Sequence, residues 1–255
     1  MHSNFLSPRG HADHHRVLRR FTWSAAVILL LGSLGFLGLA DQVMEGQTAR
    51  LAQRLLRAMR VPGAPDQPIG PAWVQEGFRD FTGLGGTGVL GLLSIATLGY
   101  LWLMGMRRAA LHLLIAVIGG LLVSLALKAG FQRARPDLIS HGSIVYTSSF
   151  PSGHSMLSAI VYLTGGAMLA LIHRRRAVRL FILACAALAT LLVGVSRVYL
   201  GVHWPTDVIA GWAIGAAWAA LCWLIVQRAQ TRGPPATATP AVPPGRDRAD
   251  TKPSR

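Results

Sequence analysis

Apolar positions in this 255-residue chain collect into six long blocks separated by short polar stretches. The blocks are Phe21–Ala40, Thr82–Met104, Ala109–Leu127, Ser155–Ile172, Arg179–Val195 and Asp207–Val226. Each is close to the ~20 residues an α-helix needs to cross a bilayer. In hydrocarbon the backbone of such a run is satisfied only as a helix. The pattern therefore predicts an all-α fold, a polytopic membrane helix bundle with six transmembrane helices. Residues 1–20 read as a basic tail and 21–226 as the membrane domain. Residues 227–255, rich in proline, alanine, threonine and arginine, read as a disordered second tail. Gly-Leu-Ala before Asp41 faintly resembles a signal cleavage site, but the preceding run exceeds the usual ~7–15 apolar residues. An uncleaved anchor helix is expected there.

The long connection 41–81 has its own pattern. Gln42–Arg60 has helical periodicity, with Val43, Leu51, Leu55, Leu56 and Met59 broadly on one side and Arg50, Arg54, Arg57 and Arg60 largely elsewhere. This predicts a basic amphipathic helix at the bilayer surface. VPGAPDQPIGP then reads as a turn, and Trp73 and Phe78 as interfacial aromatics. The glycine run GLGGTG lacks the Gly-Lys-Ser/Thr ending of a phosphate loop and reads as close helix packing.

Charge changes the picture by fixing an orientation. The formal net charge is +15, but the arginines crowd at block ends, as membrane topology requires, and no basic stretch is interleaved with stacking aromatics. A nucleic-acid partner is therefore not expected; the bilayer is. The N-terminal arginines, Arg107, Arg108, Arg174–Arg176 and Arg179 lie on one side with both termini. In the 41–81 loop five arginines are matched by five acids. Short arginine-rich turns mark the cytoplasmic face, which predicts a plasma-membrane protein with cytoplasmic termini. The histidines His2, His11, His14 and His15 have no ligand spacing and read as tail. Cys185 and Cys222 read as small hydrophobes.

With that topology, Lys128 at the end of block three, His154 at the start of four, Arg197 at the end of five and Asp207 at the start of six share one outer rim. Ser152 is a natural N-cap and Gly153 leaves its N–H unshielded, so the helix beginning there suits an anion. Three cations, Lys128, Arg135 and Arg197, match a phosphoryl group. His203 and Asp207 are four apart, one helical turn, so the carboxylate can orient the imidazole. Taken alone, Asp207 reads first as an ordinary acid at a helix N-terminus. Taken together, His203 can attack phosphorus and His154 can protonate the leaving oxygen. The arginines supply charge stabilisation, so no metal is required, and there is no acidic cluster to hold one.

The three clusters, Lys128 with Arg135-Pro136, then Pro151-Ser152-Gly153-His154, then Ser196-Arg197 with His203 and Asp207, resemble the type 2 phosphatidic acid phosphatase family. That family shares its site with vanadium-dependent haloperoxidases. The resemblance spans roughly Thr82 to Val226 and shows no departure in the three motifs. It implies the helical core of the acid phosphatase/haloperoxidase fold and His203 as nucleophile, with Asp207 as its partner and His154 as the acid. Lys128, Arg135, Arg197, Ser152 and Gly153 would hold the phosphoryl group, with no cofactor. Phosphatidic acid, phosphatidylglycerol phosphate and undecaprenyl diphosphate are the substrates implied. A headgroup transporter or flippase is the competing class; its sites usually lie at mid-membrane between inverted repeats, and no such repeat shows here. A haloperoxidase is the third, opposed by the six apolar blocks.

Overall fold

The computed structural model describes residues 8–136 and 148–231, with side chains from 17–136 and 148–229. Its elements are α1 (Pro8–Met44), α2 (Ala49–Arg57), β1 (Arg60–Val61), β2 (Ala64–Pro68), α3 (Ala72–Gly83), α4 (Thr87–Leu103), α5 (Arg107–Phe131), α6 (Gly153–Ile172), α7 (Arg176–Tyr199) and α8 (Pro205–Thr231). Five helices are long and apolar enough to cross a membrane, and α3 with α4 form a sixth candidate bent by 47°. α5 alone, at 25 residues, rises about 37 Å, more than the hydrocarbon core needs.

α6 sits centrally, touching α4, α5, α7 and α8, while α1 packs along α8 and α3 along α7. The outer faces are apolar: Leu30, Leu31, Leu34 and Leu37 of α1 and Leu122 and Leu125 of α5 are all exposed. This is the arrangement expected where lipid covers the protein. Small residues let the central helices approach. A Cβ on Gly211 would lie 2.7 Å from the Ser152 carbonyl oxygen and 2.9 Å from Ser155 Cβ. One on Gly215, a turn further along α8, would lie 2.6 Å from the Met156 carbonyl oxygen. Tryptophans tie helices through backbone carbonyls: Trp218 Nε1 donates to Ala116 O (2.9 Å) and Trp212 Nε1 to Thr190 O (3.1 Å).

Several boundaries differ from the sequence pattern. α1 begins at Pro8, inside the stretch read as tail, because Arg16, Leu18, Arg19 and Arg20 are good helix formers and no proline or glycine lies between Gly10 and Phe21. α8 runs to Thr231, past the predicted end at Val226; the histidine side chains of the N-terminal tail and residues 232–255 lie outside the described residues. The predicted amphipathic helix 42–60 is divided: Val43 belongs to α1, a turn follows, and α2 covers only Ala49–Arg57. Ala52 and Leu56 are its buried residues, whereas Leu51 and Leu55 are exposed, so the buried stripe is narrower than the periodicity suggests. Arg60 is buried, donating to Val198 O at 3.4 Å, and is not on an exposed basic face. The turn 61–71 contains an antiparallel hairpin, β1 with β2, that turns through Gly63 at φ +85°. The second apolar block is divided: Thr82 and Gly83 belong to α3, which continues across Leu84–Gly86 into α4 as the bent sixth candidate.

Around the turn before α6 an aromatic cluster fastens three elements. The Phe150 ring lies 5.9 Å from Phe36 of α1 and 4.9 Å from Phe131 of α5, with Phe36 and Phe131 6.0 Å apart. Such pairs contribute roughly 0.5–1.5 kcal/mol each beyond burial. Gly211→Ala should overpack the α6–α8 contact and cost about 1–3 kcal/mol. It should lower the unfolding temperature in detergent, whereas Gly91→Ala, inside α4 with nothing within 4 Å, should leave it unchanged or raise it slightly.

Candidate active site

The polar clusters meet at one end of the bundle. Ser152, fully buried, caps α6: Ser155 N donates to its Oγ (3.5 Å), as does Ser155 Oγ (3.0 Å). The peptide bond before Pro151 is cis. The first N–H groups of α6, from Gly153 onward, have no acceptor within the helix and carry the positive end of its dipole. A Cβ on Gly153 would sit 3.3 Å from Lys128 Cε and 3.8 Å from Lys128 Nζ. Glycine thus leaves room for the ammonium to lie against the helix N-terminus, where Nζ donates to Ser148 O at 3.0 Å.

Lys128 stands in the last turn of α5, which continues to Phe131; Gln132, at φ 43°, then breaks the helix. Arg135 is held extended by Pro136. Its Nη1 donates to Val202 O (3.1 Å) and lies 3.4 Å from His203 Nε2. Arg197, near the end of α7, donates to Thr82 Oγ1 of α3 (2.9 Å), and its buried Nε has no hydrogen-bond partner. His154, half-buried in the first turn of α6, feels the charges of Arg197, His203, Lys128 and Arg135. Every sequence-predicted site residue therefore converges on one rim, and no two are separated by the bundle.

His203 and Asp207 meet, but not as successive turns of one helix. His203 lies in the loop before α8, Pro205 opens that helix, and Asp207 is its third residue. Asp207 Oδ2 reaches back to accept the Trp204 N–H at 3.0 Å, half of a capping box, and lies 3.4 Å from His203 Nδ1. With the carboxylate on Nδ1 and a guanidinium donor on Nε2, the neutral ring carries its proton on Nδ1. The Nε2 lone pair then faces the cations. Burial pulls the His203 imidazole down to about 4, with Arg197 and Arg135 acting in the same direction and Asp207 opposing. Arg135 is lowered by burial too, again against Asp207.

Sequence reasoning missed Arg133, whose Nη1 lies 2.5 Å from Asp207 Oδ1 and 2.8 Å from Thr206 Oγ1. It also missed Thr82 and the Ser148–Ser149 pair, which bind the backbone of 133–134. For Arg133 a signal existed: residues two apart in an extended segment face the same way, so Arg133 accompanies Arg135. Among the described residues no cluster of three or more His, Cys, Asp or Glu could hold a metal.

Fold and site together define a multi-pass helical membrane protein with two imidazoles and several cations around a helix N-terminus. The PAP2 superfamily model matches residues 109–231. Phosphatidylglycerophosphatase B of Bacillus subtilis is 35% identical over 153 residues, covering 56% of this chain and 70% of the relative. Lipid A 1-phosphatase of Rhizobium etli is 35% identical over 189 residues, covering 63% and 76%. A transmembrane PAP2-type phosphatidylglycerolphosphate phosphatase from Bacillus subtilis, known from its crystal structure, superposes with a TM-score of 0.70 at 27% identity. That match covers 78% of this chain and 96% of the other. This chain belongs to the PAP2 superfamily and is a phosphatase of its membrane-bound, lipid-directed kind.

The depressed imidazole has a consequence for stability. His203 is neutral when folded, so its contribution is full above the unfolded value near 6.5 and is lost as pH falls toward about 4. The unfolding temperature in detergent should therefore fall across that window more steeply for wild type than for His203→Gln.

Proposed function

We propose that this protein hydrolyses lipid phosphate monoesters or diphosphates through a phosphohistidine on His203, with its site on the extracytoplasmic side of the plasma membrane and its termini cytoplasmic. The observation that carries the reading is the His203 ring, 1% exposed, with Nδ1 turned to Asp207 and Nε2 3.4 Å from Arg135 Nη1. Lys128, Arg135, Arg197 and the first N–H groups of α6 from Gly153, in the helix that Ser152 caps, bind the non-bridging oxygens. Nε2 attacks phosphorus and the bond to the leaving oxygen breaks, that oxygen taking the proton of His154. Asp207 stabilises the imidazole as it gains positive character. Water then attacks phosphorus and gives a proton to His154. The P–N bond breaks and returns Nε2 as a free base, and phosphate leaves.

The three substrate chemistries to compare are those named by the relatives or implied by the motifs: phosphatidylglycerol phosphate, the 1-phosphate of lipid A, and undecaprenyl diphosphate, with phosphatidic acid beside them. All share a terminal phosphoryl group on an apolar anchor, which suits a site at the end of a lipid-facing bundle. Orientation rests on the arginine-rich turns Arg107–Arg108 and Arg174–Arg176 at the opposite end from the site.

Phosphate release from purified protein on that lipid panel tests the reading, with bromide oxidation as the haloperoxidase control; release from none of the four lipids would overturn it. His203→Ala should abolish turnover. Asp207→Asn should lower kcat by orders of magnitude while substrate binding persists. Because guanidinium and ammonium groups supply the positive charge, activity should survive a chelator. Strict dependence on added magnesium would contradict this assignment of charge.

A further inference from the structure

Four cationic side chains reach this site, yet one of them does not face the phosphoryl position. Arg133 binds the far oxygen of Asp207: Nη1 is 2.5 Å from Oδ1 and 2.8 Å from Thr206 Oγ1, with the guanidinium 5.7 Å from the centre of the Trp204 ring. Asp207 is fully buried, and its other oxygen is shared between the Trp204 N–H at 3.0 Å and His203 Nδ1 at 3.4 Å. The carboxylate is therefore divided, with its shortest contact on the arginine and its longest on the imidazole. Arg135, two residues later on the same side of the extended segment, touches the opposite ring nitrogen. The pair His203–Asp207 is thus gripped at both ends by one three-residue stretch, Arg133–Arg135.

The backbone of that stretch is itself fixed. Arg133 N donates to Ser148 Oγ (3.0 Å), Ser149 N donates to Arg133 O (2.9 Å), and Ser149 Oγ donates to Ala134 O (3.0 Å). Trp204 Nε1 donates to Ala134 O at 3.1 Å. One arginine and its neighbour therefore join the segment after α5, the turn before α6 and the loop before α8.

We propose that Arg133 is a positioning residue that draws on the Asp207 carboxylate so that His203 stays neutral and nucleophilic at acidic pH. Removing a positive charge beside a coupled imidazole and carboxylate raises the proton affinity of the pair, whichever member takes the proton. The other charges around the pair are Arg135 after α5, Lys128 of α5, His154 of α6 and Arg197 of α7. All are cationic or neutral, and each remains in place when Arg133 is changed. The proposal rests on His203 being the nucleophile.

The test is the acid limb of kcat/KM against pH, measured with one lipid phosphate throughout so that substrate ionisation is common to all variants. Arg133→Gln should move that limb upward by about one to three pH units, the size expected for losing an opposite charge at this range. Arg133→Lys, which keeps the charge, should leave it near wild type. A limb unmoved in Arg133→Gln, or moved equally in Arg133→Lys, would overturn the proposal. Should Arg133→Gln not fold because it strands a buried carboxylate, the neutral pair Arg133→Gln/Asp207→Asn removes both charges together. Compared with Asp207→Asn alone, its limb should move by less than Arg133→Gln moves that of the wild type; an equal or larger displacement would show that Arg133 does not act through Asp207. His203→Ala separates the two levels. Turnover in that variant removes the nucleophile itself, whereas no turnover there with an unmoved limb in Arg133→Gln removes only the role of Arg133.

Discussion

A buried carboxylate governs this structure. Asp207 has no exposure to water, and an unpaired charge in that position would cost several kcal/mol. Its partners come from separate stretches of chain: the Arg133 guanidinium after α5, and the Trp204 N–H and His203 imidazole before α8. Its own carbonyl accepts the N–H of Ser152, the cap of α6, at 2.9 Å. Satisfying one residue therefore docks the loop of the third motif against the first and the second. Helix packing brings α6 and α8 close enough for this, since Gly211 lies where a side chain would strike Ser152 and Ser155.

With Asp207 committed inward, the remaining electrostatics are one-sided. Lys128, Arg135 and Arg197 crowd around His154 and the α6 N-terminus. They oppose one another's charge, and the buried Arg197 Nε is left without a hydrogen bond. Such an arrangement suits an anion and disfavours a cation, which agrees with membership of a family of phosphatases. The segment before α4 braces this wall. Arg197 leans on Thr82 of α3, Phe78 stacks on Tyr199 at 4.0 Å, and the Tyr199 hydroxyl donates to Ile69 O beside the hairpin. The bend between α3 and α4 lays α3 against α7. Phe78, one of the two aromatics expected at the interface, is part of that brace.

Local pattern and tertiary contact divide along a clear physical line. The six apolar blocks are legible because hydrocarbon forces the backbone into helices whatever the neighbours do. The motif residues are legible because each needs a particular chemical type at its place: a cap at Ser152, no side chain at Gly153, a stop for α5 before Pro136. The 41–81 segment is harder to read. Its residues are half polar throughout, so periodicity overestimates the helix, and burial of Arg60 and Leu56 depends on surfaces supplied by α7 and α8. Arg133 escaped notice for a related reason. In the sequence it is one more arginine at a helix end, where cations commonly snorkel toward water.

By itself, the order of residues determined that the chain crosses a membrane as helices, and which polar types stand at the helix ends. Those follow from solvent and from local backbone demands, and need no knowledge of distant contacts. Only the tertiary structure decided how the cations are shared. Arg135 goes to the His203 ring and Arg133 to the Asp207 carboxylate, because a buried charge binds whichever partner packing brings within reach. Spacing along a chain carries no record of that distance.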